Sequence, residues 1–192
     1  MVTGELDPKR TAILSMDLHA GIVAIYTKGD EGYIGRAAEV LRVGRERGFM
    51  VLHVKVGFRP GFPEVSPQNT LFRALRSDPQ RQQLFQGAAA EIHPAVAPVG
   101  DEVVITKHRV SAFWGTDLEM ILRAQSIDTL VLFGIATSGV VLSTLVEAFD
   151  KDFRVVAIRD CCADTEPDLH AALLEKLFAK RGTVLTAAEF VG

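Results

Sequence analysis

Thr129-Leu130-Val131-Leu132-Phe133 runs directly into Gly134-Ile135-Ala136-Thr137-Ser138-Gly139-Val140. The first five residues show no in/out alternation, which reads as a strand buried on both faces. The small residues after it lead into a segment of helical spacing, Ser138–Phe149. A strand buried on both faces belongs in a parallel sheet covered by helices.

Outward from this unit the pattern repeats. Continuous apolar runs occur at Thr11–Met16, Phe49–Val56, Glu102–Ile105 and Phe153–Ile158, with a shorter one at Thr183–Leu185. Between them lie helical spacings at Tyr33–Arg47, Thr116–Gln125 and Pro167–Ala179, the last followed by the basic, glycine-terminated Lys180-Arg181-Gly182. Strand and helix alternate, so the expectation is a three-layer α/β/α domain with right-handed crossovers. At roughly 100–200 residues per domain, 192 residues predict one domain over 1–192. The exception to the alternation is Gly57–Gly100, which carries Pro60, Pro63, Pro67, Pro79, Pro94 and Pro98 around short helical stretches at Leu71–Arg76 and Gln80–Ala88. Long connections of this kind read as lids or binding loops.

Composition removes several function classes. Lys+Arg of 21 against Asp+Glu of 24 leaves a net charge of −3, with none of the basic footprint that phosphate-backbone binding requires. No nucleic-acid partner is expected. No apolar run approaches the ~18 residues of a membrane span, and the N-terminus carries no charged-then-apolar leader pattern. The two cysteines, Cys161 and Cys162, are adjacent, which predicts a disulfide-free, cytoplasmic protein with no membrane partner. Gly134 and Gly139 have half the spacing of a phosphate loop, but Val140-Val141 stands where Lys-Ser/Thr is required. A Gly-x-Gly-x-x-Gly motif is missing as well, which argues against a dinucleotide cofactor.

In open α/β sheets ligands bind beyond the carboxyl ends of the strands, near the reversal of strand order. The polar residues ending strands are therefore the candidates. Asp17 follows the first run and reads as a general acid or base, or as a helix cap. Lys107 follows the third, with His108 and Arg109 beside it, and reads as an electrostatic stabiliser or a surface lysine. The Gly134–Val140 turn offers backbone N–H groups for an anion, or uses its glycine for geometry alone. Phe113 and Trp114 read as an apolar pocket wall or as cover for the core edge. Cys161 and Cys162 read as small packing residues, His93 and His170 as structural or solvent-facing, and His53, with Val51 and Lys55 two residues to either side, as no metal ligand.

Three motifs in order, Ala12-Ile13-Leu14-Ser15-Met16-Asp17, Lys107-His108-Arg109-Val110-Ser111-Ala112-Phe113-Trp114-Gly115-Thr116-Asp117-Leu118, and Leu132-Phe133-Gly134-Ile135-Ala136-Thr137 with Ser143-Thr144, resemble the isochorismatase-like, or cysteine hydrolase, family. That family includes nicotinamidases, N-carbamoylsarcosine amidases, ureidoacrylate amidases and isochorismatases. The resemblance covers nearly the whole chain and implies a six-stranded parallel sheet in order 3-2-1-4-5-6. It assigns Asp17 and Lys107 to the family's catalytic acid and lysine. It also implies a cis peptide at Ile135-Ala136 and a substrate or oxyanion site around Ala136, Thr137, Gly139 and Val140. Dimers or tetramers of identical chains follow from it too.

One departure stands out. The amidases place a nucleophilic cysteine three residues after the threonine, where this chain has Val140. Ser138 is the nearest hydroxyl, but at 3.6 residues per turn it is expected about 200° from Val140 around a helix axis. Isochorismatases resemble this chain in lacking the cysteine, and use their aspartate as general acid on a vinyl ether. The resemblance therefore implies a hydrolase of a small polar metabolite working without a cysteine on a vinyl ether or a C–N bond. The alternative is a binding or regulatory protein that retains the pocket. An aspartyl phosphatase would need a second aspartate where His19 stands. Metal-binding members carry an Asp-x-His pair that Gly57–Gly61 lacks, so no metal and no other cofactor are expected.

Overall fold

The computed structural model describes residues 6–192; the first five residues of the expected domain lie outside them. Six parallel strands form one sheet in the order β3-β2-β1-β4-β5-β6. They are β1 (Thr11–Met16), β2 (Met50–Val56), β3 (Val103–Lys107), β4 (Thr129–Ile135), β5 (Arg154–Ala163) and β6 (Thr183–Leu185). The expected architecture and strand order are those observed. Every residue of β1 and β4 is buried, because these central strands have helices over both faces. The edge strand β3 instead alternates between buried and exposed positions.

The helices are α1 (Ala20–Tyr26), α2 (Tyr33–Glu46), α3 (Thr70–Ser77), α4 (Pro79–Gln83), α5 (Leu118–Ala124), α6 (Leu142–Asp150), α7 (Pro167–Ala172) and α8 (Ala187–Val191). Two of them, α1 and α8, are absent from the periodicity reading. A local signal for α8 exists nonetheless. Thr186 and Glu189 form a reciprocal capping box at its start.

Two elements depart from their apolar patterns for reasons of packing. β5 extends five residues past the run ending at Ile158, because its pairing with β4 jumps from Leu132↔Ala157 to Gly134↔Cys162 across an irregularity. The expected helix from Ser138 begins as a wide turn, Thr137–Val141, in which Gly139 has φ −100° and ψ −108°, and only then becomes α6.

The seam where strand order reverses lies between β1 and β4, with Met16 opposite Gly134. Gly134 has φ +148°, and a Cβ on it would lie 2.1 Å from the Met16 carbonyl oxygen. Only glycine permits this approach. The proline-rich stretch folds over the same end of the sheet and builds a satellite apolar cluster of Val65, Phe72 and Leu75, backed by Phe58, Phe62 and Phe85.

Candidate active site

Immediately after β1 the chain turns out of the sheet at Asp17, whose φ of 55° is left-handed, a conformation that aspartate tolerates better than most side chains. Its N–H donates to the Val54 carbonyl of β2 at 2.8 Å, which fixes the turn. The carboxyl group is buried, with the residue 5% exposed.

Lys107 ends β3, opposite Val56 of β2. It is 2% exposed, and its Nζ lies 2.8 Å from Asp17 Oδ2 and donates to the Arg109 carbonyl at 3.0 Å. An ammonium has three donors, and these two contacts engage two of them. Each charge is tolerable in the interior because the other is present. The two residues taken from strand ends on different sides of β2 are thus brought together.

Sequence reasoning missed His19. Its Nδ1 lies 2.7 Å from the Ala90 carbonyl, so Nδ1 carries the proton and Nε2 is an acceptor in the neutral ring. Burial holds the imidazole below its ordinary pKa despite the opposing pull of Asp17. Nε2 lies 3.9 Å from Asp17 Oδ1, and both atoms are buried without a hydrogen-bond partner among the described residues. The only sequence signal was position, two residues past the strand-end aspartate.

The end of β4 supplies a third side. Ile135-Ala136 is cis, as the resemblance implies. Ile135, Ala136, Ser138, Gly139 and Val140 line a cavity of about 620 Å³ that also reaches Asp17 and Lys107. Two expectations for this turn need correction. Thr137 is fully buried and off the cavity, its hydroxyl 2.8 Å from Nδ1 of His170, so it anchors α7 instead of facing a ligand. The Gly139 N–H donates to the Ala136 carbonyl at 3.1 Å and the Ser138 N–H to Asp164 Oδ2 at 2.7 Å, which withdraws both from an oxyanion. The kink at Gly139 also removes the 200° separation expected from regular helix geometry, and Ser138 and Val140 both border the cavity.

Much of the remaining wall comes from the proline-rich stretch, through Phe58, Leu71, Phe72, Leu75, Arg81, Leu84 and Phe85, with Ile22, Ile25 and Tyr26 of α1 beside it. Arg109 pins it by donating to the Glu64 carbonyl at 3.0 Å, and His108 by its Nδ1 contact with the Gly57 carbonyl at 2.6 Å. Phe113 and Trp114, expected in this role, stand elsewhere. Phe113 packs against Phe153 with ring centroids 5.9 Å apart. Trp114 is 61% exposed with the Arg109 guanidinium over its ring at 5.3 Å. After Val110, which lines the cavity, the Ala112 N–H is tied to Thr144 Oγ1 at 3.0 Å, and Phe113 turns into the core while Trp114 reaches the surface.

Cys161 and Cys162 are buried free thiols outside the cavity lining. Burial pushes Cys162 up to about 12 and Cys161 well above its ordinary value, so neither supplies a thiolate at neutral pH. Among the described residues no group of three or more His, Cys, Asp and Glu side chains could hold a metal ion. No described helix is long and apolar enough to cross a membrane.

Comparison with known proteins places this architecture. The isochorismatase domain family matches residues 11–189. A maleamate amidohydrolase of Pseudomonas putida is 32% identical over 183 residues, 93% of this chain and 84% of the relative. A ureidoacrylate amidohydrolase of Methylobacterium radiotolerans is 28% identical over 205 residues, 96% of this chain and 80% of the relative. Among solved structures, an isochorismatase family protein from Burkholderia thailandensis superposes with a TM-score of 0.82 at 31% identity, covering 96% of this chain and 94% of that one.

Proposed function

Because this chain belongs to the isochorismatase family and is a hydrolase of that family, we propose that it hydrolyses a C–N bond of a small amide or ureido compound without a cysteine nucleophile. The observation that carries this reading is the buried 2.8 Å pair of Asp17 and Lys107 bordering the cavity beside Val140. The names of the amidohydrolase relatives favour a C–N bond over a vinyl ether.

Val140 stands where the amidases carry their cysteine, and a valine forms no acyl-enzyme. Water is then the nucleophile. Asp17, which borders the cavity, takes a proton from it. As the C–O bond forms, Lys107 offers its third proton to the carbonyl oxygen, where negative charge develops. Asp17 returns the proton to the nitrogen, the C–N bond breaks, and ammonia or an amine leaves with the carboxylic acid behind. Ala136, Gly139 and Val140 shape the side of the cavity against which the acyl group lies. Assembly of one-domain chains into dimers or tetramers belongs to the same proposal, and sedimentation returning only monomer overturns that part.

The test is turnover by purified protein on a panel of small amides, ureido compounds and isochorismate, following ammonia and pyruvate, with Asp17→Asn as control. Ammonia release lost in the variant is the expected result. Pyruvate release redirects the reaction to a vinyl ether. Ligand binding without turnover leaves a binding protein.

A further inference from the structure

The cavity holds more apolar surface than a small polar metabolite can use. Its depth is polar, ending on Asp17 and Lys107, which are 5% and 2% exposed. Its wall is a stack of aromatic rings, with Phe58 edge-on to Phe72 at 5.6 Å and to Phe85 at 5.8 Å between centroids. Two large aliphatic side chains on the cavity, Ile25 of α1 and Leu71 of α3, are 50% and 57% exposed. Between the ion pair and these two side chains the lining is mostly apolar, with Tyr26, Arg81, Ser138 and Thr165 as its other polar members, and exposure rises outward. At about 620 Å³ the space is in the range of drug-sized ligand sites, roughly 300–1,000 Å³.

A ligand made only of polar atoms would bury those rings against its own hydrogen-bonding groups and leave those groups without partners, which is costly. One with a hydrolysable head and an apolar body satisfies both ends. We propose that the substrate is an amide with an extended aliphatic acyl body, its carboxamide at Asp17 and Lys107 and its body along Phe58, Phe72 and Phe85 toward Leu71 and Ile25. This rests on the reading of Asp17 and Lys107 as the hydrolytic centre, and it replaces the small polar metabolite implied by resemblance. The reaction adds water across the C–N bond of a primary amide, giving the aliphatic carboxylic acid and ammonia, with no change of oxidation state.

The experiment is a chain-length series of primary carboxamides from acetamide to octanamide, with phenylacetamide and polar amides of equal size such as maleamic and ureido acids, read as kcat/KM by ammonia release. The expected slope is about fourfold per methylene over the first several carbons, from the transfer free energy of a buried methylene. Phe58→Ala and Leu71→Ser flatten it. A flat series, or polar amides turned over faster than apolar ones of equal size, overturns the apolar-body assignment and leaves the hydrolase reading intact. If no compound turns over, the reading of Asp17 and Lys107 as an amide-hydrolysing centre fails. The body assignment is then decided by thermal shift of Asp17→Asn, where octanamide raises Tm more than acetamide, and equal shifts overturn it.

Discussion

Lys107 reaches over the carboxyl end of β2 to hold Asp17 at 2.8 Å although their strands, β3 and β1, are not neighbours. The span is bridged by the long lysine side chain, with Val56 of β2 opposite its backbone. Two charges buried in this way depend on each other for stability as well as for chemistry.

Asp17→Asn keeps the left-handed turn, which asparagine also tolerates, and removes the proton acceptor. Turnover is expected to fall about 10²- to 10⁴-fold with the circular dichroism spectrum unchanged. Steady-state kinetics on the amide panel check this, and residual activity within a few-fold of wild type would remove Asp17 from the chemistry.

Lys107→Met leaves the Asp17 carboxylate buried and uncompensated. The expected loss is about 3–5 kcal/mol in urea unfolding. The double variant Asp17→Asn/Lys107→Met should recover most of that stability and no activity. Additive losses in the double variant would show that the pair is not coupled.

Wild-type turnover should resist iodoacetamide, since Cys161 and Cys162 are buried with their thiols held protonated. Val140→Cys places a thiol on the cavity near Asp17 and should make turnover sensitive to the reagent. Inactivation of the wild type at the same rate as the variant would return a native cysteine to the mechanism.

Burial holds His19, His53 and His170 below their ordinary pKa. The unfolded chain therefore binds protons below about pH 6.5 that the folded chain does not. Stability falls as pH drops through that window, by up to ~1.4 kcal/mol per pH unit for each of His19 and His53, and by less for the half-buried His170, where solvent screens the effect. Burial would raise Glu102, but Arg45, the Val99 N–H and His53 outweigh it and hold the carboxyl down to about 2. Its stabilisation is present above about pH 4.5 and is lost as pH falls toward 2. A Tm that declines steadily from pH 7 to 3 is expected in scanning calorimetry, and a Tm unchanged between pH 7 and 5 contradicts the histidine account.

Gly134→Ala puts a Cβ 2.1 Å from the Met16 carbonyl oxygen at φ +148°. Strain and overpacking together are expected to cost about 4 kcal/mol and to displace Asp17, the next residue after Met16. Chemical denaturation reads the cost. A variant of wild-type stability would mean that the β1–β4 seam relaxes freely.

Much of the molecule is legible in the sequence. Continuous apolar runs identify strands buried on both faces, and their alternation with helical spacings identifies the layers, because burial on two faces demands apolar residues at every position. Asp17 and Lys107 stand out because each is a charge at the end of such a run. His19 does not, since a lone histidine has no period and no motif. Phe113 and Trp114 attract notice by adjacency to Lys107, yet the tie from Ala112 to Thr144 carries them past the cavity.

Local sequence thus determined the strands, the main helices, the layer order and the two charged candidates, because each depends on residues close in the chain. Tertiary structure decided what surrounds those charges. The aromatic wall, the neutral His19 held by the Ala90 carbonyl, the Ser138 N–H withdrawn by Asp164, and the burial of both thiols all arise from contacts between segments distant in sequence. Such contacts are set by how the proline-rich stretch and the β4–α6 turn pack over one end of the sheet, and packing of that kind leaves no periodic trace in the chain.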